Sequence, residues 1–314
     1  MDSQKKGKGN FSTSKMLETK TDSATKRLAV VTGANKGIGL EICHQLATNG
    51  VTVVLTARDE KKGIEAVEKL KGSGLSDVVF HQLDVNDPSS IASLADFIQT
   101  QFGKLDILVN NAGINGIKLD DDSCRVLMAM DDSQEVRLAK YSELVTQTSV
   151  THDIAEACVQ ANYYGTKRVT EALLPILQLS DSPRIVNVSS SLGKLQDISD
   201  TWAKEVISDE DGLTEERVDD VLNKFLKDLK GRQGWSAYRM SKAAINAYTR
   251  ILAKKFPKFR INCVCPGSVK TDLNHNFGWP FTVEQGAAGP VKLALFPDDG
   301  PSGLFFFQKE VSTF

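Results

Sequence analysis

An α/β fold with a doubly wound parallel sheet is what this sequence predicts, on three observations. Short apolar, β-branched runs alternate with helical patterns from residue 28 onward. A glycine-rich turn follows the first of those runs directly. The chain has 314 residues, 41% hydrophobic and 25% charged, which suits one large soluble α/β domain or two small ones and is ample for a real core.

The elements follow in order. Leu28 to Thr32 reads as a buried strand and Gly37 to Thr48 as a helix. Val51 to Thr56 is a second strand, followed by a charged helix from Glu60 to Lys71. Val78 to Leu83 is a third strand. Pro88 to Phe102 is a helix with Asp87 as N-cap and proline at its first position. Ile107 to Val109 is a fourth strand, Ile154 to Leu177 one long helix, and Arg184 to Val188 a fifth strand. Ser236 to Lys255 is helical, Arg260 to Val264 is a sixth strand, and Ser302 to Phe306 is the last.

Two stretches interrupt this rhythm. Residues 114–152 are polar and acidic, with DDDS and MDDS. Residues 191–236 contain an amphipathic helix. Thr214 is its N-cap, and Val218, Val221, Leu222, Phe225 and Leu229 form its apolar stripe. That stripe is expected to pack on the main domain as a helical flap. The expected organisation is therefore a solvated tail over 1–26 and a single domain over 27–314 with two insertions. The tail is rich in Lys, Ser, Thr and Gly, which predicts disorder. It has no apolar core of a secretory signal, and it matches a plastid transit peptide poorly because its basic residues are lysines with acidic residues among them.

Composition excludes several functions. A net charge of −2 gives no footprint for nucleic acid, and no apolar run is long enough to span a membrane. Cys43, Cys124, Cys158, Cys263 and Cys265 are scattered and odd in number, as expected for free thiols in a reducing, cytoplasmic compartment. His44, His81, His152 and His275 lack metal-ligand spacing, so no metal is expected.

The chemistry starts at TGANKGIG. Gly33, Gly37 and Gly39 follow the first strand, where glycines let the backbone turn tightly and approach a pyrophosphate at a helix N-terminus. The spacing differs from G-x-G-x-x-G, but the placement is that of a Rossmann-type dinucleotide site. An acidic residue about 20 positions later would hold an NAD ribose. Arg58 stands there instead, and Lys36 adds a second cation within the loop. Two cations suit the 2′-phosphate of NADPH. Tyr238 and Lys242 lie four apart in a helical stretch and so share one face, though that spacing alone is weak.

TGANKGIG, NNAG (110–113), VNVSS (186–190), YRMSK (238–242) and PGSVKTD (266–272) together resemble the short-chain dehydrogenases/reductases, in that family's order. The resemblance runs from about Arg27 to the C-terminus. It implies a catalytic set of Asn162, Ser190, Tyr238 and Lys242. Tyr238 would protonate the carbonyl oxygen and Ser190 would hydrogen-bond it. Lys242 would hold the nicotinamide ribose and lower the tyrosine pKa, and Asn162 would fix a water joining Lys242 to solvent. Ser189 and Ser191 flank Ser190, which motif position favours. Cofactor contacts are implied for Gly33, Asn35, Lys36, Gly37, Ile38, Gly39, Arg58, Asp84, Val85, Asn111, Ala112, Gly113, Tyr238, Lys242, Pro266, Gly267, Val269 and Thr271, with NADPH/NADP+ as the cofactor. Asn110 would line the adenosine side and brace the sheet.

The two long interruptions resemble the monomeric carbonyl-reductase branch, above all its plant members. This implies a monomer, a flap over the pocket and a small hydrophobic carbonyl substrate, a cyclic terpenoid or alkaloid ketone. Glutamate in place of the tyrosine accompanies C=C reduction in that branch, so Tyr238 argues for carbonyl chemistry. Ile114, Val126 to Met130, Trp235, Phe277 and Trp279 are the apolar candidates for the pocket wall. A broad detoxifying reductase and a catalytically silent NADPH-binding module are the alternatives.

Overall fold

The computed structural model describes residues 26–130, 133–229, 236–274 and 280–314. Almost all of the expected tail, together with Trp235, Phe277 and Trp279, lies outside the described residues.

The first half is regular. β1 (Leu28–Val31), α1 (Gly37–Thr48), β2 (Thr52–Ala57), α2 (Glu60–Gly72), β3 (Val78–Gln82), α3 (Pro88–Gln101) and β4 (Ile107–Asn110) alternate as expected. Asp87 caps α3 by accepting from the Ser89 N–H, with Pro88 inside the first turn. β1 and β4 are buried along their whole length, as strands covered by helices on both faces must be.

The second half carries the departures. Residues 114–152 are not merely polar loop. They form α4 (Asp121–Ala129) and α5 (Gln134–Gln147), capped by Asp120 and Ser133. The acidic residues of DDDS stand at the N-terminus of α4, with Asp120 as its cap, where carboxylates are favourable. The expected long helix starts at His152 and is divided: α6 (His152–Val159), a π-helical turn over Gln160–Tyr164, then α7 (Gly165–Leu177). After β5 (Arg184–Val188) come α8 (Thr201–Ser208), which the sequence did not reveal, and α9 (Glu215–Lys227). In α9 Thr214 accepts from the Arg217 N–H as cap, and Val218, Val221, Leu222 and Phe225 are buried as expected.

α10 (Ser236–Lys255), β6 (Arg260–Cys265), α11 (Val283–Ala294), β7 (Phe305–Phe307) and β8 (Glu310–Ser312) complete the described chain. α11 was hidden by its glycines and Pro290. Those small residues let it press close: a Cβ at Gly289 would stand 2.3 Å from the Gln308 carbonyl oxygen. β8 is a three-residue antiparallel edge, too short to leave a pattern.

The strand order is β3-β2-β1-β4-β5-β6-β7-β8, parallel up to β7. One face of the sheet packs on α3, α7 and α10 through residues such as Leu94, Leu173 and Ala247. The other packs on α1, α2 and α11 through Ile42, Val67 and Val291. α9 belongs to the first core, since its Val221 and Phe225 join Tyr163 and Tyr248 there.

Candidate active site

In an open α/β sheet ligands bind beyond the C-terminal strand ends, where the strand order reverses. Here that point lies between β1 and β4. A cavity of about 730 Å³ occupies it. Gly33, Asn35, Lys36, Gly37, Ile38, Gly39, Arg58, Asp84, Val85, Asn111, Ala112, Gly113 and Thr271 line it, so most of the expected cofactor contacts meet in one place. Asp272, the end of the PGSVKTD motif, lines it too, with Asn86, Asn115 and Leu273, which carried no sequence signal. A second cavity of about 580 Å³, between Phe281 and β7–β8, shares none of these residues.

The loop is shaped to take a flat, charged group closely. Gly33 has φ of 62°, and a Cβ there would lie 2.8 Å from Ala112 Cα. The Asn111 side chain donates to the carbonyls of Thr32 (2.9 Å) and Gly33 (3.1 Å), while Thr32 Oγ1 accepts from the N–H groups of Asn111 and Ala112. Asn110 corrects an expectation. It points into the core, donating to Thr170 Oγ1 and Asn187 Oδ1, both at 2.9 Å, so it braces the sheet and does not line the cavity.

Charges of both signs surround the cavity, with Lys36, Arg58 and Lys270 beside Asp84 and Asp272. Arg58 lines it. The neighbouring Asp59 is committed as the N-cap of α2, accepting from the Lys62 N–H at 3.0 Å. That backbone hydrogen bond, with the Lys62 charge, holds its carboxyl below the ordinary carboxylate value. Lys36 reaches across the mouth to Asp272 at 2.7 Å. The turned glycine loop and the roomy crevice fit a nicotinamide dinucleotide.

The reacting side chains converge next to this cavity. Tyr238 and Lys242 lie one turn apart on α10, with Nζ 5.5 Å from the Tyr238 ring centre. The Ser190 side chain, just past β5, lies close enough to the Tyr238 phenol to lower its pKa by hydrogen bonding. The three adjacent serines separate by their partners. Ser189 is buried and donates to Asn246 Oδ1 at 2.6 Å, whereas Ser191 stands 3.5 Å from Cys265 Sγ. Ser190 is turned to the phenol.

Lys242 is buried and donates to the Val188 carbonyl at 2.9 Å. Asn162 lies in the π-helical turn, a feature frequent at functional sites. Its Oδ1 accepts from the Ile114 N–H at 2.8 Å, and its amide donates back to the Ile114 carbonyl at 2.9 Å. Gly113 joins the two halves of the site. It lines the cavity, and a Cβ there would stand 3.0 Å from Asn162 Oδ1 and 3.7 Å from Lys242 Nζ.

Burial controls the electrostatics. It pushes the Tyr238 phenol above its ordinary value, Cys265 adds to the rise, and the Ser190 hydrogen bond opposes it. Burial also draws Lys242 down to about 8. In the protein alone desolvation outweighs the Ser190 hydrogen bond, so the phenol stands above its ordinary value.

Pro266, Gly267 and Val269 follow β6 outside the cavity lining; the Val269 side chain is buried against Gly286. Ile114 and Val126 are exposed, whereas Leu127 is buried in a separate cluster with Leu119, Tyr141 and Val145. Tyr141 lies near enough to Tyr238 to raise its pKa, and sequence reasoning missed it. The i, i+3, i+4 spacing of Tyr141, Leu144 and Val145 was the signal available. Among the described residues no cluster of His, Cys, Asp or Glu could hold a metal, and no helix is long and apolar enough to cross a membrane.

Comparison with known proteins agrees with this geometry. A family model described as short chain dehydrogenase matches residues 27–201 and 227–278, passing over α9 almost entirely. Salutaridine reductase of Papaver bracteatum is 55% identical over 312 residues, covering 95% of this chain and 100% of that protein. A (+)-neomenthol dehydrogenase of Arabidopsis thaliana is 54% identical, with 92% and 99% covered. The solved structure of salutaridine reductase from Papaver somniferum superposes with a TM-score of 0.83 at 56% identity, covering 90% of this chain and 99% of that one. Family members of this kind use a nicotinamide cofactor, for which the crevice beside β1 and β4 is built. The chain belongs to the short-chain dehydrogenase family, in the branch that holds these plant enzymes, and is an oxidoreductase of C=O and CH–OH groups.

Proposed function

We propose that this protein reduces a ketone in a hydrophobic cyclic substrate, a terpenoid or alkaloid, to a secondary alcohol at the expense of NADPH. The observation that carries the reading is the Ser190 hydroxyl on the Tyr238 phenol, one helical turn from Lys242 and opening past Gly113 to the glycine-lined cavity. The printed names of the relatives, salutaridine reductase and neomenthol dehydrogenase, support the substrate class. Arg58 on the cavity, with Asp59 withdrawn as a helix cap, supports NADPH over NADH.

The cofactor supplies hydride to the carbonyl carbon when bound. The chain supplies the rest. Ser190 holds the carbonyl oxygen by a hydrogen bond. Tyr238 gives its phenolic proton to that oxygen as negative charge develops there. Lys242, drawn to about 8 by burial, passes a proton readily near neutral pH and so can restore the phenol. Asn162, clamped on the Ile114 backbone, would seat a water that connects Lys242 to solvent. Pro266, Gly267, Val269 and Thr271 would border the nicotinamide, and Asp84 with Val85 the adenine.

Residues 114–152 and 191–236 are best read as insertions in one domain. α9 covers α10 and α6, a helical face that compact relatives would use to dimerise, which supports a monomer. Five free cysteines, four of them buried, suit a reducing compartment such as the cytoplasm.

The test is NADPH oxidation against cyclic ketones, enones, aldehydes and quinones, with NADH and Tyr238→Phe as controls. One ketone class should dominate, NADPH should outperform NADH, and Tyr238→Phe should lose roughly 10²–10⁴-fold in kcat. Comparable modest turnover of every class would point to a broad detoxifying reductase. Binding of NADPH without turnover of any carbonyl would point to a silent binding module.

A further inference from the structure

The hydroxyl of Ser241 occupies a place that the proposed catalytic set does not explain. Ser241 sits between Tyr238 and Lys242 on α10 and is fully buried. Its Oγ donates to the Tyr238 carbonyl at 2.8 Å. A serine inside a helix often bonds back to the preceding turn, so this contact alone is ordinary. The second contact is not local: Oγ accepts from Asn162 Nδ2 at 3.0 Å, from a residue 79 positions away.

That bond completes the Asn162 amide. Oδ1 takes the Ile114 N–H, one amide proton goes to the Ile114 carbonyl, and the other goes to Ser241. The Ser241 proton is spent on Tyr238, so its lone pair is what faces the asparagine. A line of hydrogen bonds thus runs from the turn that bears Tyr238, through Ser241 and Asn162, to Ile114 on the cavity wall. Nearby Cys158 is a weaker acceptor, 3.4 Å from Asn162 Nδ2.

We infer that Ser241 is a positioning residue for the reduction. It sets the register of the π-helical turn against α10, and with it the alignment of Asn162 with Tyr238 and Lys242. The inference rests on the proposed catalytic set. A pair of buried groups that must meet across two helices is sensitive to small shifts, and a displacement of about 1 Å can cost up to roughly a hundredfold in rate.

The experiment compares Ser241→Ala with the parent protein, both alone and in an Asn162→Ala background. Alanine favours helix, so α10 is retained. Ser241→Ala should lower kcat by about ten- to a hundredfold. The KM for ketone and the NADPH dissociation constant from fluorescence titration should stay within about twofold. The alkaline limb of the kcat–pH profile should move, because the route that returns a proton to Tyr238 is disturbed. In the Asn162→Ala background the same change should have no further effect. An unchanged kcat and pH profile would overturn the inference, as would a loss that adds in full to that of Asn162→Ala. Tyr238→Phe separates the levels: if that variant keeps full activity, the catalytic set itself is wrong and the inference goes with it.

Discussion

The two helical segments added to the sheet are anchored in opposite ways. α8 and α9 are part of the main core. Val206, Ile207, Val218, Val221, Leu222 and Phe225 share one apolar cluster with the residues of α6, α7 and α10. Lys167 on α7 adds ion pairs to Glu215 (3.1 Å) and Asp219 (3.2 Å) on α9. α4 and α5 pack mainly on each other, around Leu119, Leu127, Tyr141 and Val145, a cluster separate from both faces of the sheet. One segment is therefore held by the fold, and the other holds itself. The second kind of attachment is what a cover needs if it is to open for substrate without unfolding the enzyme. The difference teaches that length of addition says little; what decides mobility is whose core the added helix joins.

The comparison breaks most directly at Phe225, which is 3% exposed. Phe225→Ala leaves a cavity in the main core and should cost about 3–5 kcal/mol of global stability, read from denaturant midpoints. A loss under about 1 kcal/mol would mean that α9 is a loosely docked flap after all.

A smaller effect reports on the floor beneath both segments. Lys242 is buried on α10 and drawn from 10.5 to about 8. Below pH 8 the lysine is charged in both folded and unfolded states, and the cost of burying the charge is fully present. Between about 8 and 10.5 the folded protein gives up the proton while the unfolded chain keeps it. The unfolded state then binds more protons at this site, so the Lys242 contribution to stability rises with pH across that window, while Cys43, Cys158 and Cys263, raised by burial, keep protons that the unfolded chain loses and pull the other way. The gain is on the order of 3 kcal/mol, and Lys242→Met should abolish it. A parent protein whose stability from pH 8 to 10 runs parallel to that of Lys242→Met would show that the lysine is not desolvated. Tyr141, in the first segment, is pushed up to about 12 by burial and so stays protonated throughout that window.

The same contrast explains what was legible in the sequence. β1, β2, β4, β5 and β6 were readable because their apolar runs are buried on both faces, so no alternation confuses them. α9 was readable because Thr214 marks its start and a single apolar stripe faces one core. α4 and α5 were not. Their cluster is small, their polar caps look like loop, and their apolar residues serve a local contact that no strand pattern announces. The catalytic positions were legible as motifs, and the glycine loop as geometry. Ser190 could not be separated from Ser189 and Ser191 by composition, because the distinction lies in which hydroxyl the α10 phenol meets. The π-helical turn and the Ser241–Asn162 bond depend on packing between helices distant in sequence, and a helical pattern carries no trace of either.

The smallest expected global effect belongs to the first segment, and it is the counterpart of Phe225. Leu127 is also fully buried, so Leu127→Ala deletes comparable apolar contact. If α4 and α5 could open only with the whole protein, the full cost of a few kcal/mol would appear in the global midpoint, as for Phe225. Their separate cluster predicts otherwise: the pair opens alone, so the global midpoint should move by less than about 1 kcal/mol. The cost should surface locally instead, as faster hydrogen exchange in α4 and α5 and a raised KM for the ketone, because Tyr141 near Tyr238 loses its support. Equal midpoint losses at Leu127 and Phe225 would erase the distinction and make both segments fixed walls of one core.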